Sequence, residues 1–411
     1  MQRVTSEPLS VVIRNVTVID GTGAAPRPAQ DLRVEDRRIV AIGATGTVPT
    51  NGATPTDGGG GTLLPGLIDM HCHLATKVAL GETPDQQLLR ALQNARRALA
   101  AGVTTLRDAG STFRVSQTVR DAIDTGLTAG PRIVSCGRMI APTAYGRGPG
   151  RLQVDSAAEM RVAVRRLVEE GVDAIKVTVA GGGSSPGSNV GASHYSAFEL
   201  NVLMHEARRL GKRVAAHAIG TPGIRLAVRA GVDTIEHCGW MSEDGGLDVD
   251  ARVVDEMRSR GTTVVPTMGV WYRPGYDDLE HLSNDQRKMR AVRTERTAAW
   301  REMFRGGVRF AAGPDTWEPH LPAFALAREL ELMVGELGLT PLEAIVAATS
   351  AAAVGLGLDS EIGSVTTGKV ADLVLLKGDP LGDLSALHRI AGVWRGGRLA
   401  VQEGRVVEPA R

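Results

Sequence analysis

Six ionisable side chains stand at positions where a divalent cation would find donors. His71 and His73 fall in LLPGLIDMHCHLATK, residues 63–77, separated by one residue just after an apolar run. On an extended strand alternate side chains share a face, so both imidazoles point one way and Cys72 the other. Two imidazoles held side by side suit a metal ion better than a core. His217 in AAHAIG, His237 in IEHC and Asp315 in AGPDT add two more imidazoles and a carboxylate. These are the donor types that Zn2+ and similar ions take, and their number fits two ions better than one, provided that something bridges them. Lys176, in AIKVTVA, is the odd member. An ammonium on a buried strand carries a large desolvation cost unless it is neutralised or modified. An amine that has reacted with CO2 becomes a carbamate anion, which can bridge two metals.

The elements that must position these groups form a repeating rhythm of short apolar strand and helical stretch. The strand candidates are residues 66–74, 102–110, 130–137, 171–182, 212–220, 231–240, 261–270 and 307–316. Between them, segments such as DQQLLRALQNARRALAAG and AEMRVAVRRLVEEG carry apolar residues at i, i+3, i+4 spacing and end on glycine, as at a helix C-terminus. Eight such units over about 250 residues predict a (β/α)8 TIM barrel of the α/β class. In that architecture chemistry sits where strands end. His71 and His73 close the first predicted strand, Lys176 lies in the fourth, and His217, His237 and Asp315 close the fifth, sixth and eighth.

Both chain ends read differently. Residues 9–64 and the stretch after 360 consist of short strands and turns without helical period. They predict one small β-sandwich domain built from residues 1–64 and 357–411, beside a barrel of residues 65–356.

Composition narrows the partners. Lysine plus arginine number 47 against 46 acidic residues, and a net charge of +1 leaves no electrostatic footprint for nucleic acid or an anionic membrane. Aromatics make up 3%, too few for a base-stacking surface. A small-molecule substrate fits better, and homo-oligomerisation stays open. Three cysteines without a CxxC pair, no leader-like start and no run of about eighteen apolar residues predict a cytoplasmic, soluble protein.

Taken together, PGLIDMHCHL, the lysine of AIKV, AAHA, IEHC, AGPDT and GSVTTGKVADLVLLKGDP resemble the amidohydrolase superfamily, in its two-metal branch. GVTTLRDAG, GPRIVSCGR, AGGGSSPGSN, HYSAFEL and GVDTIEHC are most similar to the imidazolonepropionase-like proteins that include Xaa-Pro dipeptidases. The resemblance implies that His71, His73 and Asp315 bind the more buried ion, His217 and His237 the more exposed one, and a carboxylated Lys176 bridges them. The ions are expected to be zinc. It implies a metal-bridging hydroxide as nucleophile, with Asp315 as the catalytic general base and then acid. The expected reaction is cleavage of an amide bond in a dipeptide of Xaa-Pro type or an N-acyl amino acid. Tyr195 resembles the branch's tyrosine near the substrate. Members often carry TGGHG after the third strand, where this chain reads APTAYGRGPG, so Tyr145 or Arg147 is expected to alter specificity. His320, five residues after Asp315, is a further candidate pocket residue.

Each residue alone has a plainer explanation: a hydrogen-bonded core histidine, a helix-capping aspartate, a snorkelling lysine. Their recurrence at one end of successive strands carries the functional reading. Asp108 is read as a structural hydrogen-bond acceptor, and His205, His281 and His388 as solvated residues. Rival functions are hydrolysis of a cyclic amide, carbamate or urea, deamination with one metal, and a barrel without catalysis. Substrate choice lies in loops whose shape the sequence does not reveal.

Overall fold

The computed structural model describes residues 10–75, 82–145, 150–182, 189–273, 276, 278, 280, 282–316 and 325–408. β1 (Ser10–Val18), β2 (Arg27–Glu35) and β3 (Arg38–Ala44) run antiparallel in succession, while β4 (Thr54–Asp57) and β5 (Thr62–Pro65) pair parallel with β1.

The middle of the chain alternates. β6 (Leu67–Cys72), β7 (Val103–Asp108) and β8 (Arg132–Ser135) form a three-stranded parallel sheet, with α1 (Pro84–Ala100) and α2 (Val115–Asp124) between them. A seven-stranded parallel sheet follows in the order β10-β9-β11-β12-β13-β14-β15. Its strands are β9 (Met139–Ala141), β10 (Arg151–Gln153), β11 (Ala174–Ala180), β12 (Arg213–Gly220), β13 (Thr234–Met241), β14 (Thr263–Val265) and β15 (Arg309–Phe310). The connecting helices are α3 (Ala157–Glu169), α4 (Ala197–Arg209), α5 (Thr221–Ala230) and α6 (Ala251–Arg260), then α7 (Met268–Trp271), α8 (Asn284–Ala291) and α9 (Arg293–Arg305). After β15 come α10 (Leu326–Gly335), α11 (Pro341–Ala347) and α12 (Ser350–Leu356).

Each of the eight predicted stretches holds one of these parallel strands. Backbone hydrogen bonds join the two sheets at both edges. The Met70 N–H donates to the Ala312 carbonyl at 3.0 Å and the Asp315 N–H to that of His71 at 2.9 Å, while across the other edge the Asp173 N–H donates to Ser135 at 2.8 Å. The unforeseen strands are β9 and β10, which bracket the APTAYGRGPG stretch. The helix ends follow their residue types: Gly102 and Gly171, just past α1 and α3, sit at φ +87° and +82°, where a side chain would be strained.

At the far end β16 (Leu373–Leu376), β17 (Ile390–Arg395), β18 (Arg398–Gln402) and β19 (Arg405–Val406) form antiparallel neighbours, and β16 pairs with β5. The two chain ends therefore meet, and their strands belong to one continuous nine-stranded sheet. Ile13, Leu32, Ile39, Leu63, Leu373 and Trp394 bury a common apolar cluster on it. A second, larger cluster packs the parallel strands against their helices.

Candidate metal centre

All six predicted donors converge where the parallel strands end. His71 is buried, and one ligand atom from each of His71, His73 and Asp315 lies within 4.8 Å of the others. Lys176 Nζ stands 3.4 Å from His71 Nε2. The His237 ring centroid is 5.2 Å from that of His71 and 4.3 Å from that of His217. Unusual backbone aims these groups. His237, Thr267 and Asp315 adopt left-handed conformations at φ 70°, 52° and 59°. Such strain in non-glycine residues persists where surrounding structure enforces it, often at functional sites. At His237 and Cys238, both left-handed, the β12–β13 register shifts, so simple alternation fails there.

The outer nitrogens explain which ring atoms face inward. His71 Nδ1 lies 2.6 Å from Glu236 Oε2. Burial pushes the Glu236 carboxyl up, but Arg107, Lys176 and the bond to His71 together hold it well below the usual range. An ionised carboxylate only accepts, so His71 carries its proton on Nδ1 and turns the Nε2 lone pair inward. His73 Nδ1 faces the Gly110 carbonyl at 2.8 Å, which again only accepts. The Thr267 hydroxyl donates to the Pro266 carbonyl at 2.7 Å and therefore accepts from His237 Nδ1, also at 2.7 Å. Three imidazoles thus share one tautomer, each held by an outer partner as metal-binding histidines commonly are.

Electrostatics agree with that arrangement. Burial lowers His71 to about 4 and His237 to about 3, and burial with the nearby His237 takes His217 well below its usual value. These rings are neutral donors at pH 7. Burial works against ionisation of Asp315, yet His71 and His73 hold its carboxyl well below the carboxylate range. Burial lowers Lys176 to about 8, so a reactive fraction of free amine exists near neutrality. His217 Nε2 is buried without a hydrogen-bond partner. An orphaned imidazole nitrogen, inward lone pairs and an ionised carboxylate form a donor set that fits divalent cations.

Of the proposed substrate contacts, Tyr145 reaches the site: its ring lies 6.1 Å from that of His217 and 5.8 Å from that of His194. Tyr195 requires a correction. It is buried in the large apolar cluster and its hydroxyl donates to the Val154 carbonyl at 3.0 Å, so its proton is engaged by backbone and not held free for a substrate. Arg147 and His320 lie outside the described residues, as does His281. Asp108 accepts from the Leu74 N–H at 3.2 Å, as read, and His388 pairs with Glu331 at 2.9 Å on the surface.

Sequence reading missed the outer partners. Arg107 donates to Glu236 Oε1 at 2.6 Å, to Thr234 at 2.9 Å and to the Met70 carbonyl at 2.8 Å, all within the core. A signal existed, because an arginine in VTTLRD and a glutamate in TIEH are charges on otherwise apolar strands, where an isolated ion is unaffordable. Glu329 gave none. Its carboxyl group accepts from the backbone N–H groups of Met268 at 2.9 Å and Gly269 at 2.6 Å, gripping the loop that carries Thr267.

The chain belongs to the amidohydrolase family, which it matches over residues 62–400. It is similar to the ochratoxinase of Aspergillus niger, with 28% identity over 437 aligned positions covering 96% of this chain and 87% of that protein. The imidazolonepropionase of Symbiobacterium thermophilum is 27% identical, covering 93% of this chain and 92% of its own. A crystal structure of a Xaa-Pro dipeptidase with bound methionine in its active site superposes with a TM-score of 0.83 at 28% identity, covering 95% of this chain and 99% of the other.

Proposed function

We propose that this amidohydrolase cleaves the amide bond of a small substrate, either a dipeptide of Xaa-Pro type or an N-acyl amino acid, using two divalent metal ions, zinc in the first instance. The observation that carries the reading is the convergence of His71, His73 and Asp315 within 4.8 Å of one another, beside Lys176 and the His217–His237 pair. Similarity to a Xaa-Pro dipeptidase structure supports the peptide-like substrate. His71, His73 and Asp315 would hold one ion and His217 and His237 the other, with Lys176 between them as its carbamate, formed by attack of the free amine on CO2 with loss of a proton. Bound there, the ions would supply Lewis acidity toward the scissile carbonyl and acidify coordinated water.

The chain's own residues do the rest. Asp315, ionised in a buried site, accepts the proton of the attacking water and returns it to the departing amine nitrogen. Glu236, Gly110 and Thr267 keep three imidazoles in one tautomer throughout. We read the two joined parallel sheets as one (β/α)8 barrel of residues 65–356. The nine-stranded sheet of residues 1–64 and 357–411 we read as a small sandwich curled on its apolar cluster. Cytoplasmic operation and a small-molecule substrate as the main partner belong to the same proposal, which the three buried free thiols support.

The test is a metal analysis of the purified protein followed by a screen of dipeptide and N-acyl amino acid libraries. Two equivalents of metal, turnover of amides and a drop of at least about a hundredfold in kcat for Asp315→Asn are expected. Full activity in that variant would refute the proton transfer, and ring deamination without amide cleavage would refute the reaction class.

A further inference from the structure

Arg151 opens β10, and its guanidinium carbon lies 4.7 Å from the centroid of the Tyr145 ring. Tyr145 in turn packs against His217 of the candidate centre. Most interior or half-buried arginines of this chain have carboxylate partners: Arg107 has Glu236, Arg120 has Asp173, Arg138 has Glu170. Arg151 forms no ion pair among the described residues, and its Nε is buried without a hydrogen-bond partner. Asp155, two positions beyond β10, is not available to it, since that carboxylate accepts from the Thr143 N–H at 2.8 Å and closes the turn bearing Tyr145.

A guanidinium in that state lacks an anion. Burying an unpaired donor is costly, and a planar guanidinium held over an aromatic ring can offer its fork to the two oxygens of a carboxylate. In an N-acyl amino acid or a dipeptide the free carboxylate stands one residue from the scissile carbonyl, a step of about 3.8 Å in Cα spacing, so it would lie beside the donors while the amide faces them. The position of Tyr145 is itself built in: a Cβ at Gly182 would fall 1.6 Å from Tyr145 Cε2, so only glycine there admits the ring.

We propose that Arg151, stacked on Tyr145, is the subsite for the substrate's free C-terminal carboxylate, which restricts the substrate class to acyl amino acids and dipeptides and excludes neutral amides, carbamates and ureas as good substrates. The inference rests on the hydrolytic reading above and adds a specificity residue to it.

The test pairs N-acetyl amino acids with their C-terminal carboxamides, followed by calorimetric binding and by turnover, in the metal-loaded wild type and in Arg151→Met, which keeps an apolar stack on Tyr145. The acid is expected to bind the wild type at least about tenfold more tightly than the amide, a charge-assisted pair being worth that much. In Arg151→Met the preference should vanish through a rise in the acid's KM toward that of the amide. Circular dichroism checks that the variant folds, and Arg151→Lys should restore part of the preference. Equal binding of acid and amide by the wild type overturns the subsite, as does a preference that survives in Arg151→Met, which would assign the carboxylate to the metals. Amide turnover without acid preference removes the subsite and leaves the hydrolase standing. Acid preference in binding without turnover does the reverse.

Discussion

At the scale of single residues, the centre is defined as much by what holds the imidazoles as by the imidazoles. Glu236 sits between a buried cation, Arg107, and the Nδ1 proton of His71, so its charge is shared by structure and site. In Glu236→Gln the acceptor is weaker and Arg107 is left as an uncompensated buried charge. Metal affinity, read by competition with a chromogenic chelator, should fall by about 10- to 100-fold. Unfolding free energy should drop by about 3–5 kcal/mol, as for other broken buried pairs. Wild-type metal affinity in a destabilised variant would mean that the pair serves the fold alone. Arg107 and Glu236 are visible as anomalies in apolar strands, whereas their pairing, across 129 positions of sequence, is not.

At the scale of elements, loops carried by rigid strands decide what the site can accept. Gly182 follows β11 at φ +145°, and its missing Cβ is what gives Tyr145 its place. Gly182→Ala should therefore displace Tyr145 and raise KM several-fold or more while the circular dichroism spectrum stays native; unchanged KM would separate Tyr145 from the substrate. On the other side α10 grips the Thr267 loop through Glu329, a carboxyl that burial pushes up to about 8 from the ordinary 4.5. Between those values the folded form keeps a proton that the unfolded chain has released. Stability contributed at this residue is thus intact below about 4.5 and is progressively lost as pH rises toward about 8. Glu329→Gln removes that titration, so the metal-free variant should show a flatter Tm profile than wild type across this window. Parallel profiles would show that Glu329 does not titrate there.

At the scale of the whole molecule, two parallel sheets joined at both edges draw donors from β6, β11, β12, β13 and the segment after β15 into one place. A ligand that binds only this assembled state stabilises it by mass action, about 4 kcal/mol at a thousandfold excess over Kd. Chelation should lower Tm by several degrees, and zinc should restore it in proportion to its concentration. A Tm indifferent to chelator in a protein shown to lose its metal would mean that the donors are held in place without the ions. Among the described residues no helix is long and apolar enough to cross a membrane.

The residues themselves determined the strand positions and the donor types, because apolar periodicity, glycine at helix ends and histidine chemistry are local properties that survive in a linear text, while the family was legible through the resemblance of motifs such as PGLIDMHCHL and AGPDT. The eight strand stretches were readable for that reason, and so were the six side chains that the fold brings together. Tertiary structure decided the rest. Tyr195 bears a suggestive motif yet spends its hydroxyl on Val154, since a side chain's partner depends on which face the folded backbone turns inward. The Arg107–Glu236–His71 relay, the Glu329 grip on the Thr267 loop and the stacking of Arg151 on Tyr145 each join segments far apart in the chain. Hydrogen-bond geometry and burial exist only once those segments meet, so the spacing of His71 and His73 offers a pair of metal donors, while the surrounding fold sets their tautomers and what lies across from them.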